Sequence, residues 1–340
     1  MEKTLLKYAG RIERNEVNPH IRYDGRRSGL ILDPLRDEVP LEVIGFGLYQ
    51  LGAQLITGET KEKEMVLVPQ DGEFEAEVNG KKFSGKREGG PFALGSAKSN
   101  ASALYVPCNS ELRIRGKGEI AFFEAPALKE KTPFYFSSQE ARVVSRGAWV
   151  WRRDIVNLIS PRDASTNLVV GETYSPPGFW SGTPLHVHDK DNPAAQESDL
   201  EEIYYHRMNP PKRKGDLFGP YAVQLLFDGA KMMKSFLIGD RSIFAIPGGS
   251  HPVVASPVAE LLYLWGLGGR GSDLAMRDIA EFKYLKSFEE IFRELGKEPS
   301  QKLSGEKWET LCSSFGFTED QEKLLKVMLS EQGFKVECKG

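Results

Sequence analysis

Thr183-Pro-Leu-His186-Val-His188-Asp189 is followed by Glu201-Glu202-Ile-Tyr204-Tyr205-His206 and then by Ile246-Pro247-Gly-Gly-Ser-His251-Pro. These three stretches hold four of the chain's five histidines. Each predicts a β-strand or the turn that feeds one. Side chains on a strand alternate between faces, so His186 and His188 share a face. In the second stretch Glu202 shares its face with Tyr204 and His206, and Glu201 points the other way. If the apolar Ile203 packs outward between sheets, Glu202 is the inward carboxylate. His251 follows a Pro-Gly-Gly turn that can aim its ring across a barrel. Three imidazoles and one carboxylate converging from neighbouring strands predict one divalent metal ion, with His186, His188, Glu202 and His251 as ligands. That donor set suits Zn, Mn, Fe or Ni and does not choose among them.

Two other histidines fall outside this set. His206 lies roughly 13–14 Å along the strand from Glu202, at about 3.4 Å per residue. That is too far for the same ion and predicts a pocket wall or core residue. His20, in Asn-Pro-His-Ile, has no companion and reads as structural.

Working outward, the punctuation is that of an all-β protein. Glycine (34) and proline (20) fall between short alternating runs. One series covers 65–69, 73–78, 102–106, 111–115 and 119–123, with the hairpin signal Asn79-Gly80 inside it. A linker is expected over 129–138. A second series covers 150–159, 167–174, the histidine strands, 221–227, 232–238, 242–246 and 260–265. Two successive sets predict two double-sheet sandwiches or barrels, over 1–138 and 139–282. The period then changes to that of helices. Residues 287–295 end at Gly296, Ser304 opens a second helix, and 318–329 begin with Thr318 and acidic residues. The 283–340 tail is too short to bury a core alone and is expected to pack on the β body or on another subunit.

The 340 residues carry a net charge of −3, which points to neither a nucleic-acid nor a membrane surface. No apolar run approaches the roughly 20 residues of a membrane span, and the charged N-terminus does not read as a secretory signal. Cys108, Cys312 and Cys338 are too widely spaced for a thiolate zinc site and do not form a disulfide framework. The expectation is a cytoplasmic protein, and by default a homo-oligomer.

His-x-His, then Glu, then Pro-x-Gly-x-His resembles the two-part signature of cupins, small double-sheet β-barrels with a metal inside. The chain is most similar to one branch, the 5-deoxy-glucuronate isomerases of inositol catabolism, with their relatives the 4-deoxy-5-ketouronate isomerases. The residues that carry this are Trp180-Ser-Gly-Thr-Pro-Leu-His186-Val-His188-Asp189-Lys190-Asp191-Asn192, Leu200-Glu-Glu202-Ile-Tyr204-Tyr205-His206 and Pro247-Gly-Gly-Ser-His251. Arg153-Asp-Ile-Val-Asn157 looks like the family's lead-in strand. The 13 residues between His188 and Glu202 match an insertion of that branch. The strong part covers about 150–268, and the N-terminal portion matches by pattern only. The family's aromatic C-terminal segment is not recognisable after Gly266.

The resemblance implies a bicupin whose N-terminal barrel lacks the metal, and 65–125 indeed lacks histidine, with Val106-Pro107-Cys108-Asn109 where a ligand would stand. It implies an aldose–ketose isomerase acting on a deoxy-uronate, 5-deoxy-glucuronate to 5-dehydro-2-deoxygluconate. Such an enzyme moves a proton between adjacent carbons, with a metal stabilising the charge that develops on oxygen. Strand position and resemblance together offer Tyr204, Gln224 and Tyr263 for proton transfer and orientation. The substrate's carboxylate needs a cation; Arg153 is the better placed and Lys190 the weaker choice. Two other readings share the ligand set: a non-catalytic sugar-binding or regulatory cupin whose tail docks a partner, and an iron-dependent oxygenase.

Overall fold

The computed structural model describes residues 2–95, 98–161, 164–211, 219–269, 274–296 and 302–336; Cys338 lies outside them. Two large antiparallel sheets share one strand order. The first runs Phe134–Phe136, Ala103–Val106, Lys63–Pro69, Glu111–Pro126, Gly45–Leu51, Gly29–Leu32. The second runs His20–Arg22, Ser242–Ile246, Glu197–Asn209, Glu260–Gly269, Val169–Ser175, Arg153–Ile159, Val144–Arg146. Each is completed into a barrel by further strands. In the first barrel these are Ile56–Glu59, Gly72–Val78 and Lys81–Arg87. In the second they are Trp180–Ser181, Val253–Ala255, Tyr221–Phe227 and Met233–Gly239.

The two strands expected over 111–115 and 119–123 are one strand, Glu111–Pro126. Its first half pairs with Gly72–Val78 and its second with Lys63–Pro69. Gly116 (φ +155°) and Gly118 (φ +108°) sit where it passes between sheets, and a Cβ on Gly116 would lie 2.1 Å from the Glu73 carbonyl oxygen. Those glycines let one strand turn the barrel's corner, and they read in sequence as a break.

Three apolar clusters follow from the alternation. One fills the first barrel with Met65, Leu67, Phe74, Val78, Val106 and Ile114. Another lies between the barrels, where Phe46, Val66 and Phe123 meet Val170, Ile203, Tyr205 and Leu264. The third lines the second barrel with Tyr204, Phe244, Tyr263 and Trp265. Ile203 and Tyr205 thus face the seam between barrels, and Tyr204 faces the interior, as alternation requires.

The first 22 residues depart from the boundary expected at 1–138. Helix α1 (Glu2–Glu13) buries Leu5, Tyr8, Ala9 and Ile12 in the second barrel's core, and His20–Arg22 pairs with Ser242–Ile246. Reciprocally, Phe134–Phe136, within the expected linker, pairs with Ala103–Val106 of the first barrel. Each barrel takes its edge strand from the segment that precedes the other.

The tail forms α2 (Tyr284–Leu295), α3 (Gly305–Phe315) and α4 (Glu319–Glu331). Ser304 caps α3, and Thr318 with Gln321 makes a capping box on α4. Gly296 ends α2 in a right-handed conformation, φ −60°. The module's core closes on Ala148 and Trp151 of the β body. Among the described residues no helix is long and apolar enough to cross a membrane.

Candidate metal centre

Glu202 sits mid-strand in Glu197–Asn209, the two-residue strand His186–Val187 carries His186, and His188 follows it. His251 is aimed by the Pro247-Gly-Gly turn. Gly248 (φ +138°) packs on Asp189, where a Cβ would come within 2.8 Å of the Asp189 Cβ. Asp189 Oδ2 in turn accepts the Gly249 N–H at 2.8 Å. The loop after one pair of histidines is therefore pinned to the turn before the third, and only glycine fits there.

The ligand atoms of His188, Glu202 and His251 lie within 4.8 Å of one another, and all three residues are buried. Glu202 Oε2 is 3.2 Å from His188 Nε2 and 2.9 Å from His251 Nε2. The His186 ring stands beside them, its centroid 5.9 Å from that of His251 and 6.4 Å from that of His188. His186 is half-buried and lies at the open side of the group.

All three rings use the same nitrogen, Nδ1, on a backbone carbonyl. His186 Nδ1 bonds the Pro184 carbonyl at 3.0 Å, His188 Nδ1 that of Leu200 at 2.9 Å, and His251 Nδ1 that of Gly249 at 2.8 Å. A carbonyl only accepts, so each Nδ1 carries the proton and each Nε2 keeps a lone pair, which in His188 and His251 faces Glu202. Lone pairs facing a carboxylate repel unless a cation stands between them. His251 Nε2, buried and 2.9 Å from Glu202, makes no hydrogen bond. Such an orphaned acceptor beside two others fits a divalent ion, and backbone carbonyls behind the rings are the usual support of a metal site.

Without an ion a proton must do that work. Burial disfavours a charged His188, but Glu202 outweighs it and raises the ring's pKa. Burial likewise pushes the Glu202 carboxyl up, and the two histidines pull it down to about 2. The His186 ring, with no carboxylate partner, is lowered to about 4 by burial and then by His251.

The other expected residues are placed as follows. The Tyr204 and Tyr263 rings lie 4.4 Å apart between centroids, tilted by 39°, with the Tyr204 ring 5.8 Å from His251. Tyr263 Oη lies 2.5 Å from Ser181 Oγ. Burial raises the pKa of both phenols, so they stay protonated and donate. Arg153 gives one N–H to the Thr183 carbonyl at 2.7 Å. Burial lowers its pKa, and the nearby Tyr263, Glu289 and Tyr204 oppose this. Its charge also weighs on His186. Gln224 stands behind the site: its Nε2 donates to the carbonyls of His251 (2.7 Å) and Pro252 (3.2 Å), which suits holding the turn rather than touching reactants. Lys190 is exposed and is not brought into the buried group. His206 stays outside the ligand group, 5.7 Å from the Tyr204 ring, with its Nε2 buried and without a hydrogen bond.

Sequence reasoning missed Asp189, Ser181, Trp151 and Glu289. Asp189 follows directly after His188, and its pairing with a glycine 60 residues away leaves no local trace.

The KduI/IolB family matches residues 22–285. The 5-deoxy-glucuronate isomerase of Geobacillus kaustophilus (strain HTA426) is 30% identical over 237 residues, 68% of this chain and 82% of that protein. The enzyme of that name from Bacillus subtilis (strain 168) is 30% identical over 156 residues, 46% of this chain and 53% of its own. Among solved structures, an IolB-like protein from Salmonella typhimurium LT2 superposes with a TM-score of 0.71 at 24% identity, covering 79% of this chain and all of its own. Oxalate decarboxylase from Lactobacillus farciminis shares the fold alone, with a TM-score of 0.53 at 9% identity over 90% of this chain and 96% of its own. The match spans most of the chain and includes every residue of the histidine–glutamate group, so the chain belongs to the KduI/IolB family.

Proposed function

We propose that this chain is a metal-dependent aldose–ketose isomerase that converts 5-deoxy-glucuronate to 5-dehydro-2-deoxygluconate. A sugar isomerase is what its family and its relatives named 5-deoxy-glucuronate isomerase support. The single observation that carries metal dependence is the common tautomer of His186, His188 and His251, with the Nε2 lone pairs of His188 and His251 facing Glu202.

His188, Glu202 and His251 would hold the ion, with His186 completing the set from the open side. When bound, it would supply a positive charge to stabilise the negative charge that develops on the sugar's oxygens. The chain's own groups do the rest. Arg153, half-buried next to His186, takes the substrate's carboxylate and fixes which end of the sugar enters first. Tyr204 and Tyr263 remain phenols and donate hydrogen bonds to the sugar's hydroxyls. The apolar walls, Trp265 and Phe244 among them, exclude water from the carbon whose proton moves. The strand register places Tyr263 opposite His206 and Tyr204 opposite Trp265, so these side chains form one inner wall.

The metal, the homo-oligomer and the cytoplasmic setting are part of the same reading. Its test is to incubate the purified protein with 5-deoxy-glucuronate and follow formation of the ketose. Turnover that disappears in His188→Ala supports the proposal. Oxygen consumption in place of isomerisation would assign the same ligands to an oxygenase.

A further inference from the structure

The match to the family ends at residue 285, and the IolB-like structure is covered in full by 79% of this chain. Nearly all of α2, and α3 and α4 entire, therefore lie beyond the family match. They do not rest on a random part of the surface. Phe288, Ile291, Leu295, Trp308 and Leu329 close around Ala148 and Trp151, with Trp149 and Trp180 packed against them. Both barrel segments that complete this core also carry the site. Arg153 follows Trp151 by two residues, and Ser181, which meets the Tyr263 hydroxyl, follows Trp180.

The connection into α2 is tied to the site as well. Asp278 pairs with His186 across a two-residue ladder, and the Ile279 N–H donates to the Leu185 carbonyl at 2.9 Å. Polar contacts run from α2 to the β body: Lys286 pairs with Asp278, and the Trp151 indole N–H donates to Glu289 Oε1 at 2.9 Å. The Phe292 ring meets the same indole edge to face, 6.1 Å between centroids. Trp151 is 4% exposed, so its indole has little freedom once these partners are in place.

We propose that Glu289 is a positioning residue: by holding the Trp151 indole it fixes the turn that carries Arg153, and so sets the guanidinium that takes the substrate's carboxylate. The inference rests on the proposed role of Arg153 in the isomerase. Glu289 touches no reactant. It acts through Trp151 and the backbone of residues 151–153, and its negative charge also favours the Arg153 cation.

The experiment is a double-mutant cycle on the full-length, metal-loaded protein. Two readouts are taken: kcat and KM on 5-deoxy-glucuronate, and the dissociation constant of D-glucuronate by calorimetry, which needs no turnover. Glu289→Ala should raise KM and the D-glucuronate constant roughly tenfold, in the range seen for supporting residues, with kcat nearly unchanged. Glu289→Gln, whose carbonyl can still accept from the indole, should restore most of the loss. Trp151→Phe, which keeps the packing and removes the donor, should behave as Glu289→Ala does and covers the case in which that variant fails to fold. In an Arg153→Ala background Glu289→Ala should add little. Equal losses in both backgrounds, an unchanged D-glucuronate constant, or a loss confined to kcat would overturn the proposal. Wild-type binding of D-glucuronate without turnover would refute the isomerase reading and leave the positioning role to be judged from binding alone. No binding at all in the wild type would overturn both.

Discussion

Glu64 and Glu201 are counterparts across the two barrels, and each holds the other barrel's loop. Glu64 lies opposite Ala125 in the first sheet, and Glu201 lies opposite Gly268 in the second. The Glu64 carboxylate accepts the N–H groups of Thr166, Asn167 and Leu168, just before Val169–Ser175. Glu201 accepts those of Glu42, Val43 and Ile44, just before Gly45–Leu51. The chain's internal two-fold is thus written in a reciprocal pair of buried acids. One residue further on the symmetry is broken: Met65 packs in apolar surroundings where Glu202 faces two histidines.

Removing either acid should destabilise the whole molecule. Each variant leaves three backbone N–H groups without their acceptor, and a buried donor left unpaired costs roughly 1–3 kcal/mol. Glu64→Ala and Glu201→Ala are each expected to lose at least about 3 kcal/mol in urea unfolding. A loss below about 1 kcal/mol would mean that water replaces the carboxylate without penalty.

The ligand residues should rank in a definite order. His188→Ala, Glu202→Ala and His251→Ala each remove a buried donor and should abolish metal retention through gel filtration. His186→Ala removes the half-buried ring at the open side and should weaken retention less. Metal content measured by plasma mass spectrometry checks the order; a His186 variant that loses the ion as completely as His188→Ala would place all four on an equal footing.

Metal uptake should release protons. The raised pKa of His188 means that its ring is partly protonated when no ion is bound, and a ligand must shed that proton. Calorimetric titration of the stripped protein in two buffers of different ionisation enthalpy should show net release, with affinity falling as pH is lowered. Uptake with no proton release would show that the His188 ring is already neutral in the metal-free protein, against its raised pKa.

Stability should fall in mild acid. Burial lowers the pKa of His206 to about 3 and, with help from Arg22, that of His20 to about 4, against 6.5 for a free ring. Below pH 6.5 the unfolded chain takes up protons that the folded one refuses, so their contribution is complete above 6.5 and is lost as pH falls toward 4. Each ring can contribute a slope of up to about 1.4 kcal/mol per pH unit. Glu201 opposes this, since burial raises its carboxyl to about 7 and its contribution fades as pH rises from 4.5. Two rings outweigh one acid, and His206→Gln should flatten the profile between pH 6.5 and 4 in denaturant titrations. An unchanged slope in that variant would show that His206 binds its proton equally in both states.

The site was legible because its logic is local. Period two placed Glu202 inward once Ile203 was put at the seam, and a Pro-Gly-Gly turn announced His251. The tail's helices were legible through Ser304 and Thr318, whose caps need only neighbours in sequence. What escaped was long-range. Nothing near His20 says that its strand pairs with Ser242–Ile246, more than two hundred residues away. Helix α1 did leave a signal, Leu5, Tyr8, Ala9 and Ile12 at helical spacing, but its partner surface belongs to the second barrel. Glu289 reads as one of many exposed acids on a helix until Trp151 is seen beneath it.

The central claim is that three imidazoles and Glu202 hold an ion that the reaction needs. The direct measurement is turnover of 5-deoxy-glucuronate by one preparation as purified, after chelation, and after a divalent ion is returned, with metal content determined at each stage. The account predicts about one ion per chain at the start, loss of turnover with loss of the ion, and recovery on its return. Full-rate isomerisation by protein that has been shown to carry no metal would contradict it.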